Sequence, residues 1–235
     1  MAWLVAGLLW LAAPLLAAAP PSVDPECAEV ETLFQRNAAA ELGGLTPGTL
    51  RGVAHQQFRL ASVYIQEDDL RAARRAVRLG LRAVRSGLAA QPDDVELLLL
   101  GAMLDGEQVL VRRWSFLTSG LRGMRRLTRA ERLDPGNPRA ALVRGTAKVV
   151  LPGIIGGDVR EAIEILRSAL HERALCEQGE WGQADLLMWL GRAHAKLDAP
   201  EQAQVYYQQA LARQPDSHWV RKAMAGHGYE WTEPP

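Results

Sequence analysis

The sequence lacks the features that mark several large classes of protein. Two cysteines in 235 residues are too few for a disulfide scaffold, and no stretch shows the sustained period-2 alternation of branched and aromatic residues that marks β-strands. Basic and acidic residues number 27 each, a balance that argues against a dedicated nucleic-acid-binding protein. Because 48% of the residues are hydrophobic and 23% are charged, we expect a folded globular chain and not a disordered one.

Motifs that carry chemistry are also missing. The chain has no Walker-type phosphate loop, no Gly-x-Ser-x-Gly nucleophile elbow and no His-Glu-x-x-His metal motif. Its five histidines are scattered, and only His171 lies near a cysteine, Cys176, which gives too few ligands for a closed zinc site. We therefore expect no enzymatic activity, no cofactor and no metal. An enzyme with an unrecognised site is the minor alternative.

The N-terminal segment is apolar. Residues Ala2 to Ala19 contain no charged side chain and end in small residues, the pattern of a secretory signal peptide. We predict a signal peptide over residues 1–18 and hence an exported protein. The alternative is an uncleaved segment that anchors the chain in a membrane, since about 17 to 25 apolar residues can span a bilayer. Export would permit a disulfide between Cys27 and Cys176, with two separate thiols as the alternative.

Helix-forming residues dominate the rest of the chain. Gly and Pro clusters interrupt it at residues 43–44, 91–92, 134–138, 152–157 and 214–215. This spacing predicts helices of about 12 to 22 residues in antiparallel pairs, and therefore an all-α solenoid or bundle. At one helix start, Asp158 is expected to cap the helix and Glu161 to complete a capping box. The aromatic residues are expected mainly to pack between helical hairpins, with one or two lining a groove: Trp114, Trp181, Trp189, Trp219, Tyr206 and Tyr207.

One segment fits a known repeat. Residues 184–217 match the 34-residue register of the tetratricopeptide repeat, in which large and small residues recur at fixed offsets. The matching positions are Leu187, Leu190, Gly191, His194, Ala203, Tyr207, Ala210 and Pro215. Small residues in this set allow two helices to approach closely, and large ones fill the space beside them. Three earlier segments repeat the pattern less completely, two of them with insertions of roughly ten and five residues.

The chain thus resembles a degenerate, exported bacterial tetratricopeptide-repeat protein. The resemblance implies an α-solenoid of about four helical hairpins over residues 49–225. We expect a linker and an N-terminal helix within residues 19–48, before the solenoid. A short capping helix is expected to end the solenoid, and a tail at 226–235 follows. It also implies a periplasmic or envelope protein that acts as a scaffold or adaptor for another protein. A looser similarity, to the repeat-type periplasmic component of certain substrate transporters, implies the alternative of an accessory ligand-binding component.

Arginines form two stripes at helical spacing. Between Arg51 and Arg132 the chain has 15 basic and 9 acidic residues, and one stripe falls on a face about 100° wide. The stripes comprise Arg71, Arg74, Arg75, Arg78, Arg82 and Arg85, then Arg122, Arg125, Arg126 and Arg129. Like charges at this spacing repel, so acidic side chains of neighbouring helices, a membrane surface or an acidic protein are candidate partners, and a solvated face is the alternative. Both stripes lie on second helices of hairpins, which the resemblance places on the outer surface.

Overall fold

The computed structural model describes residues 45–170, 182–215 and 217–228, and this part of the chain is all-helical. Its α-helices are α1 (Pro47–Gln66), α2 (Leu70–Ala90), α3 (Val95–Val111), α4 (Leu121–Leu133), α5 (Pro138–Val150), α6 (Val159–Leu170), α7 (Gln183–Lys196), α8 (Pro200–Arg213) and α9 (His218–Ala225). Consecutive helices form four hairpins, followed by a short last helix. The predicted all-α class, the hairpin solenoid and the capping helix are confirmed. The predicted N-terminal helix lies almost wholly outside the described residues.

The two insertions of the sequence are the connections inside the second and third hairpins. A short 3-10 turn (Arg113–Ser115) and a π-helical turn (Phe116–Gly120) join α3 to α4. A second 3-10 turn (Gly153–Ile155) lies between α5 and α6. These segments leave the hairpins intact, because the two helices of each hairpin still pack against each other.

Polar side chains cap the helices where the sequence predicts breaks. Asp158 accepts hydrogen bonds from the backbone N–H groups of Arg160 and Glu161, both at 3.0 Å. It thereby provides an acceptor for two of the N–H groups that a helix start leaves without partners. The expected capping box is wrong, however. The backbone N–H of Asp158 donates to the Lys148 carbonyl, and the Glu161 carboxylate pairs with the Lys148 ammonium group.

The first helices of the four hairpins, α1, α3, α5 and α7, run parallel to one another. Side-chain contacts that join corresponding ends of neighbouring helices show this. At the N-terminal ends, Arg51 pairs with Asp94 and Arg139 with Glu96, each at 3.1 Å. At the C-terminal ends, the Lys196 ammonium group donates to the Val149 carbonyl at 2.7 Å. All connections from a first to a second helix therefore lie at one edge of the stack, which we call the turn edge.

The stack closes on itself through α9. This helix packs against α7 and α8, but it also packs against α1 at the other end of the chain. The Trp219 ring meets Phe58 edge-to-face at 5.9 Å between centroids, and Lys222 pairs with Glu67. Because α9 bridges the first and last hairpins, the inner surface of the first helices faces a closed interior. An open superhelix would present this surface as a groove.

Candidate functional site

A charged network occupies one part of the closed interior. The Asp185 carboxylate of α7, only 1% exposed, accepts a hydrogen bond from the Arg59 guanidinium of α1 at 3.1 Å, and the same guanidinium donates to the Gln214 side chain at 3.0 Å. Burial alone would raise the pKa of Asp185, but the charge of Arg59, its hydrogen bond to the carboxylate and a hydrogen bond from the Gly182 N–H outweigh burial and lower the pKa. The pair joins the first and last hairpins, and loss of either partner would leave the other charge without its main compensation.

The same network contains a histidine that stays neutral. Burial, then the positive charge of Arg59, lower the pKa of His55 to about 3. Its Nε2 lies 3.9 Å from an Asp185 oxygen. Because the pKa values of both His55 and Asp185 are lowered, neither group is held ready to exchange a proton at neutral pH, and the imidazole serves as a polar packing element.

A second buried group stands apart from this network. Glu107 of α3 is 8% exposed, and its Oε1 accepts a hydrogen bond from the Ser62 hydroxyl at 2.6 Å. Its other carboxylate oxygen is buried and has no hydrogen-bond partner among the described residues. Burial raises the pKa of Glu107 to about 7, against the opposing effects of Ser62 and of the Arg192 charge. Sequence analysis did not single out Glu107, because a lone glutamate in an apolar helix gives no motif.

The repeat-type positions of the fourth hairpin pack as that pattern requires. Gly191 of α7 lies against the ring of Tyr207 of α8, and a Cβ at Gly191 would come within 2.8 Å of that ring. Most members of the set are buried, namely Leu187, Leu190, Gly191, Ala203, Tyr207 and Ala210. His194 is half-buried and stacks on Tyr206 with 5.2 Å between centroids, whereas Pro215 is exposed in the turn after α8.

The second arginine stripe is largely used inside the protein. Arg122 and Arg126 of α4 both pair with Asp105, a fully buried carboxylate of α3. Arg129 pairs with Asp93 at 2.7 Å, in an exposed position. Arg125 is exposed and forms no ion pair among the described residues. For three of the four arginines, acidic side chains of the neighbouring helix are therefore the partners.

The first stripe is different. All six arginines of α2 are exposed, and the helix contains no acidic residue. Arg74 donates through Nε to the Val111 carbonyl at 3.1 Å, which ties α2 to the end of α3. The remaining five form no ion pair or hydrogen bond within the described parts of the chain: Arg71, Arg75, Arg78, Arg82 and Arg85. We call these five the α2 arginine surface.

Exposed apolar side chains gather at the turn edge. Trp114 and Ile154 are each 95% exposed and Leu117 is 70% exposed, all in the two insertions. The expectation that Trp114 packs between hairpins is wrong, whereas Trp189 and Trp219 are buried as expected. Sequence analysis missed this edge. The combination of aromatic and aliphatic residues with a break in the repeat register is the signal that could have revealed it.

A cavity opens on the outer side, between α6 and α8. It measures about 450 Å³ and is lined by Arg167, Leu170, Glu201, Gln202, Val205, Tyr206 and Gln209. Within residues 45–170, 182–215 and 217–228, no group of three or more His, Cys, Asp or Glu side chains could hold a metal ion. No helix in these ranges is long and apolar enough to cross a membrane.

Several predicted features fall outside the described residues. These are the signal peptide at residues 1–18, the tail beyond Gly228, Trp181, the neighbouring His171 and Cys176, and the proposed disulfide between Cys27 and Cys176. They stay predictions from the sequence.

Comparison with known proteins agrees with the repeat architecture. A family profile described as tetratricopeptide repeat matches residues 184–217, so the predicted repeat in the fourth hairpin is confirmed. No curated protein sequence matches the chain significantly. Among solved structures, the chain is similar to the HusA haemophore from Porphyromonas gingivalis, with a TM-score of 0.54 and 22% sequence identity over 74% of this chain and 87% of that chain. At this level of identity the likeness concerns the fold.

Proposed function

We propose that this protein is a non-enzymatic scaffold or adaptor that binds another protein. The proposal rests on the tetratricopeptide repeat and on the closed stack of four helical hairpins that contains it. Tetratricopeptide repeats generally mediate contacts between proteins. The observation that carries the finer proposal is the α2 arginine surface, which we assign as the contact for an acidic protein partner. The N-terminal apolar segment supports a periplasmic or envelope location, with an uncleaved inner-membrane anchor as the alternative.

The interior supports an outward-facing contact. The first helices, which line the groove of an open solenoid, here join Arg59 to Asp185 and, separately, Ser62 to Glu107. A peptide that entered this space would have to separate the buried pair of Arg59 and Asp185. Breaking a buried ion pair costs on the order of 3 to 5 kcal/mol. The outer face of α2 requires no such opening.

The charge of the α2 arginine surface favours an acidic partner. Its five guanidinium groups lie on one face of a single helix, where neighbours three or four residues apart repel by a few tenths of a kcal/mol per pair. An acidic surface would remove this repulsion and add bidentate contacts between guanidinium and carboxylate groups. It would also accelerate association, an effect that decreases as the salt concentration rises.

The proposal can be tested by charge reversal with a matched control. Arg75, Arg78 and Arg82 should be changed together to Glu, and Arg74 left intact because it bonds to the Val111 carbonyl. The control reverses three exposed arginines of other helices, Arg132→Glu, Arg167→Glu and Arg213→Glu.

Crosslinking in the native cell envelope, followed by mass spectrometry, would then identify captured proteins for each form. We expect an acidic partner that is captured by the wild type and by the control but lost from the α2 variant. Equal capture by all three forms would remove the α2 arginine surface from the proposal.

A second candidate function is that of an accessory ligand-binding protein. The place it would use is the depression between α6 and α8, which offers about 450 Å³ but is open to solvent, whereas ligand sites usually enclose most of their ligand. The fold is shared with a haemophore, so haemin is the first ligand to try. Binding at this cavity predicts a one-to-one change in the haemin absorption spectrum that Tyr206→Ala weakens. An unchanged spectrum on mixing would argue against haemin as the ligand.

A further inference from the structure

The turn edge carries two neighbouring apolar projections. The connection 112–120 belongs to the second hairpin and the connection 151–158 to the third, and their first helices, α3 and α5, pack together. Trp114 and Ile154 project from these connections, each 95% exposed. Further exposed apolar side chains lie in these connections or in the adjoining helix ends, namely Leu110, Phe116, Leu117, Leu121, Met124 and Ile155. Apolar side chains that cluster in this way on a folded protein mark a surface for another molecule.

The backbone that carries Trp114 is held in place. The Ser115 hydroxyl donates to the carbonyls of Arg112 and Gln108, at 2.7 and 3.0 Å. The Thr118 hydroxyl donates to the Ser115 carbonyl, and Arg74 holds the Val111 carbonyl from α2. The apolar side chains are thus displayed on an ordered support, so that docking them costs little further backbone entropy.

The backbone that carries Ile154 is equally constrained. The N–H groups of Ile155 and Gly157 both donate to the Pro152 carbonyl at 3.0 Å. A Cβ at Gly157 would lie 1.8 Å from the Leu151 carbonyl oxygen, so this close approach requires glycine. The loop therefore has a defined shape with Ile154 at its tip.

Positive charge without an ion pair in the described residues lies in the connection 112–120 and in the first turns of α4, on Arg112 and Arg125. From Gln108 to Ala130 the chain has six arginines and no aspartate or glutamate. Both Arg112 and Arg125 are exposed. In the third hairpin, Asp158 is used as a helix cap and Glu161 pairs with Lys148. The acidic residues 67–69 and Asp198 lie in the connections of the first and fourth hairpins, at the two ends of the edge.

From this arrangement we infer that the turn edge docks onto an anionic phospholipid bilayer, with Trp114 and Ile154 inserted at the interface and Arg112 and Arg125 on the lipid phosphates. The side chains protrude and do not line a groove, which suits a fluid surface that adapts to them. Tryptophan prefers the headgroup region of a membrane, and basic residues near an anionic leaflet add to binding. This contact is separate from the protein contact assigned to α2.

The test uses vesicle binding by the full chain, in whichever N-terminal form cells produce it. Vesicles contain either phosphatidylcholine alone or phosphatidylcholine with phosphatidylglycerol. One variant combines Trp114→Ser with Ile154→Ser, and another combines Arg112→Gln with Arg125→Gln. The control is Leu133→Ser, which removes a 44% exposed apolar side chain from the end of α4 opposite the turn edge. Circular dichroism checks that each variant is folded.

A second readout isolates the turn edge from any binding by the apolar N-terminal segment. Brominated lipids quench tryptophan fluorescence on contact, and the difference between the wild type and Trp114→Phe reports Trp114 alone. We expect Trp114 to be quenched only on anionic vesicles. The double apolar variant should bind anionic vesicles roughly tenfold more weakly than the wild type. The double arginine variant should also bind them roughly tenfold more weakly, and the control should bind them as strongly as the wild type does.

Three results would overturn the inference. The first is equal quenching of the wild type and Trp114→Phe, because Trp114 would then not touch the lipid. The second is equal vesicle affinity of the double apolar variant and the control. The third is self-association through Trp114 in place of vesicle binding. Size-exclusion chromatography of the wild type and Trp114→Ser detects the last of these.

Discussion

Replacing Glu107 by glutamine should change how the stability of the protein depends on pH. The carboxyl group is buried against Ser62, and burial raises its pKa from 4.5 to about 7 in the folded protein. Between these two values the folded chain holds a proton that the unfolded chain has released. The free energy of unfolding therefore falls as the pH rises through this interval, and is constant again above it. A pKa difference of this size corresponds to about 3 kcal/mol.

Glutamine keeps the acceptor for the Ser62 hydroxyl but cannot ionise. We expect Glu107→Gln and the wild type to differ little at pH 5. By pH 8, the variant should have gained about 2 to 3 kcal/mol relative to the wild type. Urea unfolding followed by circular dichroism at pH 5, 6, 7 and 8 measures the difference, in which contributions from other groups cancel. Glu164→Gln, at an exposed position of α6, is the control and should stay within about 0.5 kcal/mol of the wild type throughout. A difference between Glu107→Gln and the wild type that does not change with pH would refute this reasoning.

Two further substitutions test the packing inside the fourth hairpin and the contact between the first and last hairpins. Gly191→Ala should destabilise the fold by about 1 to 3 kcal/mol in urea unfolding, because the added methyl group would meet the Tyr207 ring. Its control is Gly52→Ala on α1, where no atom lies within 4 Å of the added methyl group. The control should be neutral or mildly stabilising. Arg59→Met should cost about 3 to 5 kcal/mol, because it leaves the Asp185 carboxylate buried without its main partner. Full stability of Arg59→Met at neutral pH would show that the contact between the first and last hairpins does not depend on this ion pair.

The hairpins were predictable because their determinants are local. Gly and Pro clusters mark where helices end, and the small residues of the fourth hairpin, such as Gly191, recur at offsets that one hairpin fixes by itself. The match at residues 184–217 and the helix boundaries follow from this local information. Even the insertions were visible as breaks in the repeat register.

Closure of the stack was not predictable, since it depends on contacts that are distant in sequence. Arg59 and Asp185 are 126 residues apart, and neither lies in a recognisable motif.

The partners of the arginine stripes were not predictable for a similar reason. Asp105 is surrounded in sequence by apolar residues of α3, and only the packing of α4 shows that it takes up Arg122 and Arg126. Trp114 was misassigned because hydrophobicity alone does not distinguish a core residue from one displayed on a loop.

Closure also determines where the protein can meet other molecules. In an open solenoid the first helices offer a concave groove, but here α1 and α7 are joined by a buried ion pair and α9 covers the gap between them. Entry of a peptide would require these contacts to break, and the free energy of that opening would be subtracted from the free energy of binding. The outer faces carry no such cost. A closed stack can therefore bind another molecule without first unfolding part of itself through two outer surfaces. These are the α2 arginine surface and the exposed apolar side chains of the turn edge.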